Sequence, residues 1–448
     1  MTLRARVLLT LVLVGLASTL VVAGNWPQWR GPGGQGVSPE RDLPTTWSAE
    51  TNIDWKTPLP GYGQSQPIVW GNRIFLTADV EGGPAPAGHQ APVHLMEGEP
   101  WVHPDSVGAD RRHTFKVLAL DLETGAPIWE QTAYEGPVFD NVHRRGSYAA
   151  PTMATDGALV YAYFGPEGVY AYDFDGRLAW KASVGTFPLL GMGTGTSPVL
   201  YRDLVIIQRD ENDGKASLIL ALDKQTGKER WRTARSVGAS WSTPVLVEAS
   251  GGRTELVTNG SELIVAYDPA SGKELWRTTG VESNAIHTPL VGHGLVIVTA
   301  GYPAKRVIAI RPGGAGDITG SDRIVWEYGR GTGYVISPIL YGDYLYLVSD
   351  KGIVTCLDAR SGEVRYEGGR VPAPGTFMAS PVAFDGKLLL TSTDGDSYVL
   401  KAGPVHEIVA SNSIDEPAAS TPAIAQGRLL LRGAKHLFCI RTRSRPGA

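Results

Sequence analysis

The sequence predicts an all-β fold: an eight-bladed β-propeller of four-stranded antiparallel blades, closed by an N-terminal strand that completes the last blade. Three observations carry this expectation: a long internal repeat, a recurrent turn motif, and two chain ends that complement each other. The repeat is marked by a proline followed by an apolar run, at Pro67, Pro151, Pro198, Pro244, Pro289, Pro338, Pro381 and Pro422. Successive spacings are 84, 47, 46, 45, 49, 43 and 41 residues. A period of this size suits one four-stranded blade per repeat. The first spacing is lengthened by an insertion covering residues 80–113.

Each part of the repeat has a physical task. Runs such as Leu204-Val-Ile-Ile207 and Leu295-Val-Ile-Val298 are β-branched and apolar, as buried strands should be. Proline lacks an N–H and costs least at the first residue of a strand. Some twenty residues later comes Ala-x-Asp-x-x-x-Gly-x-x-x-Trp, clearest in Ala119–Trp129, Ala221–Trp231 and Ala266–Trp276. Cys356–Tyr366 has tyrosine in the tryptophan slot, Ala171–Trp180 is one residue shorter, and Ala309–Trp326 is seven longer. The Asp side chain can hold the hairpin turn while Gly takes the positive φ. The aromatic residue then opens the outer strand and packs between blades, burying about 150–250 Å². Trp129, Trp180, Trp231, Trp276, Trp326 and Tyr366 are therefore structural docking residues, not a ligand-stacking box.

The ends fit together. The repeat beginning at Pro422 stops after Ile440, where an outer strand is due, and Asn52-Ile-Asp-Trp55 near the N-terminus supplies one, with Trp55 in the tryptophan slot. Such a clasp pairs edges that would otherwise be exposed.

The Ala-x-Asp-x-x-Thr-Gly-x-x-x-Trp copies resemble the tryptophan-docking motif of the PQQ-like repeat superfamily, which spans quinoprotein alcohol dehydrogenases and BamB-like envelope assembly proteins. The resemblance covers essentially the whole chain after the leader. Asn25-Trp-Pro-Gln-Trp-Arg-Gly-Pro32 is similar to the opening of an exported bacterial branch of these propellers. The resemblance bears on architecture more than activity, because one fold hosts many functions. For the dehydrogenases it implies PQQ, a Ca²⁺ held by carboxylates and amides, an Asp base and often a pair of adjacent cysteines. This sequence has no Cys-Cys pair and no evident acidic/amide constellation, whereas a hard cation takes 6–8 oxygen ligands.

Residues 1–24 read as a signal peptide, with Arg4 and Arg6 before an uncharged Val7–Val22 run and small residues Ala23 and Gly24 at its end. An uncleaved anchor is the alternative, since the run lies near the minimum spanning length. Residues 25–448 are then a single propeller, exported to the periplasm or beyond, and expected to be monomeric. No cysteine near the cleavage region suits a lipoprotein, and membrane contact is expected only through the signal segment. Formal net charge is −4 with no basic block, which argues against a nucleic-acid partner. Cys356 and Cys439 occupy equivalent positions in different repeats. That separation exceeds the roughly 7 Å limit for a disulfide, so both are expected to be buried thiols.

Function is sought in the loops before each inner strand, which should ring one mouth of the central channel. They include Arg144-Arg-Gly-Ser-Tyr148, Gly191-Met-Gly-Thr-Gly-Thr196, Gly238-Ala-Ser-Trp-Ser242 and Ser283-Asn-Ala-Ile-His287. Arg144, Arg145, Tyr148, Trp241 and His287 are the candidate ligand-binding residues: arginine grips carboxylates and phosphates in bidentate fashion, and tryptophan offers a stacking face. No nucleophile–His–acid set can be assembled and no catalytic residue is assigned. Gly193 and Gly195 serve a turn, since no helix follows to make a phosphate loop.

The insertion holds His89, His94, His103 and His113. Their intervals of 5, 9 and 10 lack the close pairs typical of zinc sites. It reads as a Pro/Gly-rich, mobile surface excursion suited to contacting a partner or covering the funnel, and no metal is expected. The overall expectation is a non-catalytic scaffold or binding protein that holds a protein or a small polar ligand at the funnel mouth. The competing expectation is a PQQ- and Ca²⁺-dependent dehydrogenase.

Overall fold

A computed structural model describes residues 24–96 and 99–442. The expected signal segment, apart from Gly24, lies outside the described residues. Eight antiparallel sheets follow one another along the chain and form the eight blades of a propeller. Blade three shows the pattern: Val199–Tyr201, Leu204–Arg209, Leu218–Asp223 and Glu229–Ala234, in that order within the sheet. First strands of neighbouring blades touch each other, which places them around the central channel. The second strand, Leu204–Arg209, is buried throughout, as expected where blades cover both faces of a sheet. The outer strand Glu229–Ala234 alternates between exposed and half-buried.

The last blade is completed as the sequence predicts. Ile53–Pro58 pairs antiparallel with His436–Ile440, with Trp55 opposite Cys439. Both cysteines are free and buried, and burial pushes each thiol up to about 12.

The tryptophans dock blade to blade. Trp55 donates its indole N–H to Leu122 O at 3.0 Å, Trp129 to Phe174 O at 2.9 Å, and Trp180 to Lys224 O at 3.0 Å. Trp231 reaches Pro269 O and Trp326 reaches Ala359 O, each at 3.2 Å. Each acceptor directly follows the turn aspartate of the next blade. The indole then lies on that turn's glycine. A Cβ added at Gly125, Gly176, Gly227, Gly272 or Gly362 would fall 2.4–2.8 Å from the ring, and all five have φ between 69° and 83°. Gly is required here both for the backbone and for the contact. The aspartates hold the turns: Asp223 Oδ1 accepts from the N–H of Gln225 and of Thr226.

Trp276 departs from the pattern. The blade-five turn is seven residues longer, and the indole donates instead to the buried carboxylate of Glu255 at 2.7 Å. The same carboxylate accepts Gly313 N and pairs with Arg253. The extra residues add Gly316–Asp317 as a parallel strand beside Trp276.

A Ser or Thr precedes seven of the eight inner strands, and these hydroxyls tie blade to blade. The N–H of Thr152 donates to Ser197 Oγ (2.9 Å), Ser197 to Thr243 (3.0 Å), Thr288 to Ser337 (3.0 Å), Ser337 to Ser380 (3.1 Å) and Ser380 to Thr421 (3.0 Å). Gln66 joins through its N–H to Thr152 at 2.9 Å and through its amide to Pro422 O at 2.6 Å. A belt of hydroxyls thus links blades around the channel. It also corrects the second repeat: Thr152 holds the hydroxyl position and Met153 the proline slot, two residues after Pro151. The inner strand there is Ala154–Thr155.

The insertion is not a loose excursion. The flanking strands run out to Arg73–Pro84 and Arg111–Asp121, and a hairpin of His94–Met96 with Glu99–Trp101 lies between them. Its histidines are used as pins. Buried His94 bonds Asp140 Oδ1 (3.0 Å) and Asn212 (2.9 Å), while buried His113 bonds Asp79 (2.9 Å) and Gly108 O (2.9 Å). His89 reaches Val138 O at 2.8 Å, and His103 Nδ1 accepts Asp105 N at 3.0 Å. Among the described residues no group of three or more His, Cys, Asp or Glu is arranged to hold a metal ion.

Candidate functional site

The N-terminal segment decides the shape of the channel. Trp26 exchanges backbone hydrogen bonds with Val69 (2.9 and 2.8 Å) and Thr155 N donates to Pro27 O (2.9 Å). Trp29 then donates its indole N–H to Thr288 Oγ1 at 2.8 Å, in the hydroxyl belt. Arg30 is fully buried. Its N–H meets Gln66 Oε1 at 2.7 Å, and its guanidinium donates to Pro338 O (2.8 Å), Gln35 O (3.1 Å) and Ser337 O (3.4 Å). Val37–Ser38 leaves alongside the inner strand Val382–Phe384 of blade seven, in parallel. The channel is therefore plugged from one end, and what remains is a funnel with Trp29 in its floor.

That funnel is a cavity of about 430 Å³. Its floor carries the belt hydroxyls of Ser197, Thr243, Thr288, Ser337, Ser380 and Thr421. Its walls carry Trp241, Tyr334, Phe377, Met192 and Met378, with Arg145 and His143 near the mouth. One carboxylate lines it, Asp350, and its Oδ1 accepts the N–H of Tyr334 at 2.7 Å. A second cavity of about 290 Å³ shares Arg145, Thr376, Met378 and Ala419 with the first and adds Tyr62 and Arg432. A depression of about 580 Å³ is lined instead by turns between strands, at Ala249, His293, Arg311 and Arg360, and by Val325 of an outer strand.

The five candidate residues divide. Arg145 and Trp241 line the funnel. The indole of Trp241 is held by Gly193 O at 2.7 Å, so the glycine-rich loop of blade three orients the ring. Arg144 is exposed and paired with Asp105 of the insertion. Tyr148 packs against His113, with ring centroids 4.6 Å apart, and its hydroxyl donates to Asp140 O at 2.8 Å. His287 is buried, bonded through Nδ1 to Thr299 Oγ1 (2.7 Å) and through Nε2 to Tyr334 O (3.1 Å). Burial lowers its pKa to about 4, so it stays neutral. Arg144, Tyr148 and His287 thus support the loops from behind, whereas Arg145 and Trp241 face the cavity.

Trp29, Arg30 and Arg432 escaped the sequence reading, while Tyr62 lies in the loop Tyr62-Gly-Gln-Ser65, one of those expected to ring the mouth. Trp29 and Arg30 lie before the first repeat, where no periodicity points to the channel. Arg432 gave a signal: it ends the run Leu429-Leu-Leu431, and a charge closing a buried strand is unusual unless it is paired.

Comparison with known proteins agrees with this architecture. The family model described as outer membrane protein assembly factor BamB matches residues 107–234 and 214–369. The outer membrane protein assembly factor BamB of Yersinia pestis is 23% identical over 344 residues, covering 74% of this chain and 80% of that protein. The BamB structure from Moraxella catarrhalis superposes with a TM-score of 0.58 at 13% identity, covering 86% of this chain and 99% of that one. Quinohemoprotein alcohol dehydrogenase from Comamonas testosteroni superposes with a TM-score of 0.63 at 13% identity, covering 95% and 82%. With its repeats, docking tryptophans and eight closed blades, the chain belongs to the PQQ-like β-propeller family whose model carries the BamB description.

Proposed function

We propose that this protein is a non-catalytic binding protein of the cell envelope that holds a protein segment or a small polar ligand in its plugged funnel, in an assembly role like that of BamB. The composition of the funnel lining carries the reading. A Ca²⁺ that positions a quinone takes 6–8 oxygen ligands, several of them carboxylates. The lining offers one carboxylate, Asp350, already engaged by a backbone N–H. The donor set does not fit that ion, and no redox step is assigned. Hydroxyls, aromatics and an unpaired arginine suit recognition instead, with a rigid floor and adjustable walls.

The test is reconstitution of the purified protein with PQQ and Ca²⁺, followed by desalting. The expected result is no retained quinone absorbance and no dye reduction with alcohols or sugars; retention together with dye reduction would overturn the reading. In parallel, co-purification with a β-barrel assembly protein is expected, and is expected to weaken in Trp241→Ala.

A further inference from the structure

We propose that His94, on the hairpin of the blade-one insertion, is a proton-sensitive latch on the funnel wall that carries Met192 and orients Trp241. The inference builds on the binding reading above, because the wall it governs is that of the proposed binding site.

The wall is the loop Leu189–Gly193. Met192 and Gly193 line the funnel, and Gly193 O accepts the Trp241 indole N–H at 2.7 Å. The loop is left-handed at Leu190 (φ 55°), Gly191 (65°) and Gly193 (76°). Leucine rarely takes that conformation unaided, so contacts from outside the loop must hold it. Leu189 N–H donates to Asp140 Oδ2 at 3.1 Å, and Leu190 N–H donates to Asn212 Oδ1 at 2.6 Å. Buried His94 spans these two holders, with Nε2 3.0 Å from Asp140 Oδ1 and Nδ1 2.9 Å from Asn212 Nδ2. Ser106 of the insertion adds a bond to Gly191 O at 2.9 Å.

These bonds define the state of the ring. Leu190 N–H takes the Asn212 oxygen, which leaves the Asn212 NH₂ group facing His94. His94 Nδ1 therefore accepts, and the ring is neutral with its proton on Nε2, towards Asp140. A second proton, on Nδ1, would set donor against donor at Asn212. Turning the amide over relieves that clash only by setting its NH₂ group against Leu190 N–H. A charged His94 and a held Leu190 thus exclude each other. The added charge is favoured by Asp140, so it is the amide that gives way. Imidazole is the side chain whose charge changes between pH 5 and 8. Acidification accordingly releases Leu190 and loosens the support of Gly193 O and Trp241.

The other titratable groups around the latch are distinguishable from it. Asp140 also accepts Asn141 N–H at 2.7 Å, and Tyr148 donates to its backbone oxygen. Glu167 lines a small cavity with Asp140, and burial raises its carboxyl to about 7. Beside Asn212, Glu211 accepts Ala216 N–H at 2.8 Å and Asp213 pairs with Lys215 at 2.6 Å. Glu99, on the hairpin itself, is exposed. His113, the other buried pin, faces acceptors at both nitrogens, Asp79 and Gly108 O. Such a ring already carries both protons, and acid leaves it unchanged.

Hydrogen exchange of the full protein at pH 7.5 and pH 5, read on peptides covering the loop and corrected for intrinsic exchange, tests the latch. Protection of the Leu189 and Leu190 amides is expected to fall at least about tenfold at pH 5 in the parent. His94→Gln donates to Asp140 and accepts from Asn212 without titrating, and should show no fall. Asn212→Asp offers acceptors to both His94 and Leu190 and should also abolish it, whereas Glu167→Gln should keep the parental fall. Nitrogen-15 NMR of histidine-labelled parent gives a readout independent of variant stability, with His94→Gln used only to identify the signal. The His94 ring is expected to be neutral and protonated on Nε2 at pH 7.5, and charged at pH 5. No fall in the parent, an equal fall in His94→Gln, loss of the fall in Glu167→Gln, or a ring charged at pH 7.5 would overturn the latch. Those results would leave the binding reading standing, since none involves a ligand, whereas quinone retention with dye reduction would remove that reading and leave the latch untouched.

Discussion

The indole of Trp55 donates to the carbonyl of Leu122 at 3.0 Å and lies across Gly125. One docking contact thereby holds the strand that completes blade eight against the turn of blade one. The chain runs on from that strand into blade one, so the ring is closed noncovalently within blade eight, where Ile53–Pro58 pairs with His436–Ile440. Trp55→Ala should destabilise the protein by about 3 kcal/mol, the lower end for truncating a buried aromatic, because the ring is only half-buried. Gly125→Ala should be comparably harmful, since the new Cβ would meet Trp55 at 2.4 Å with φ at 71°. Urea denaturation checks both, and limited proteolysis near residue 50 should accelerate in each.

Glu255 stands in for a turn carbonyl beneath Trp276. Glu255→Ala leaves the indole N–H and Gly313 N–H without their acceptor and should cost about 2–4 kcal/mol by stranding buried donors. Glu255→Gln keeps an acceptor oxygen and should recover part of that loss. Equal denaturation midpoints for the two variants would contradict the assignment.

The hydroxyl belt makes a prediction of its own. Ser337→Ala removes the acceptor of Thr288 N–H at 3.0 Å in a buried position and should cost about 1–3 kcal/mol. Ser271→Ala, in an exposed turn, should cost under about 0.5 kcal/mol. Thermal melts of the pair provide the comparison.

Glu167 gives a pH dependence. Burial raises its carboxyl to about 7, although Oε1 accepts Phe139 N at 2.8 Å. The folded state therefore holds a proton that the unfolded chain releases above its ordinary value of 4.5. Stability from this group is fully present below that value and falls as pH rises towards about 7. The loss is at most about 3 kcal/mol. Glu167→Gln should remove this component, so that the variant gains on the parent between pH 5 and about 7.5 in melts followed across that range. A parallel pair of profiles would refute it.

The repeat, the aspartate–glycine turns, the docking tryptophans and the Trp55 clasp were all legible in the sequence, because each is a local pattern copied along the chain. Where copies were imperfect the reading slipped locally: Pro151 marked a strand start that belongs to Met153, and Trp276 found a carboxylate where its siblings find a carbonyl. The site was less legible. Arg145 and Trp241 face the funnel, but Arg144, Tyr148 and His287, two of them in the same loop as Arg145, turn to the insertion or the interior.

By itself, then, the sequence determined the architecture of this protein: eight blades, their order and their closure follow from spacing and from residue types whose preferences act within a turn or a strand. Only the tertiary structure decided the interior of the ring. Trp29 meets Thr288 across 259 positions and Arg432 meets Ser65 across 367. Contacts so distant in the chain leave no periodic trace, because each is made once and depends on the whole ring having closed around it.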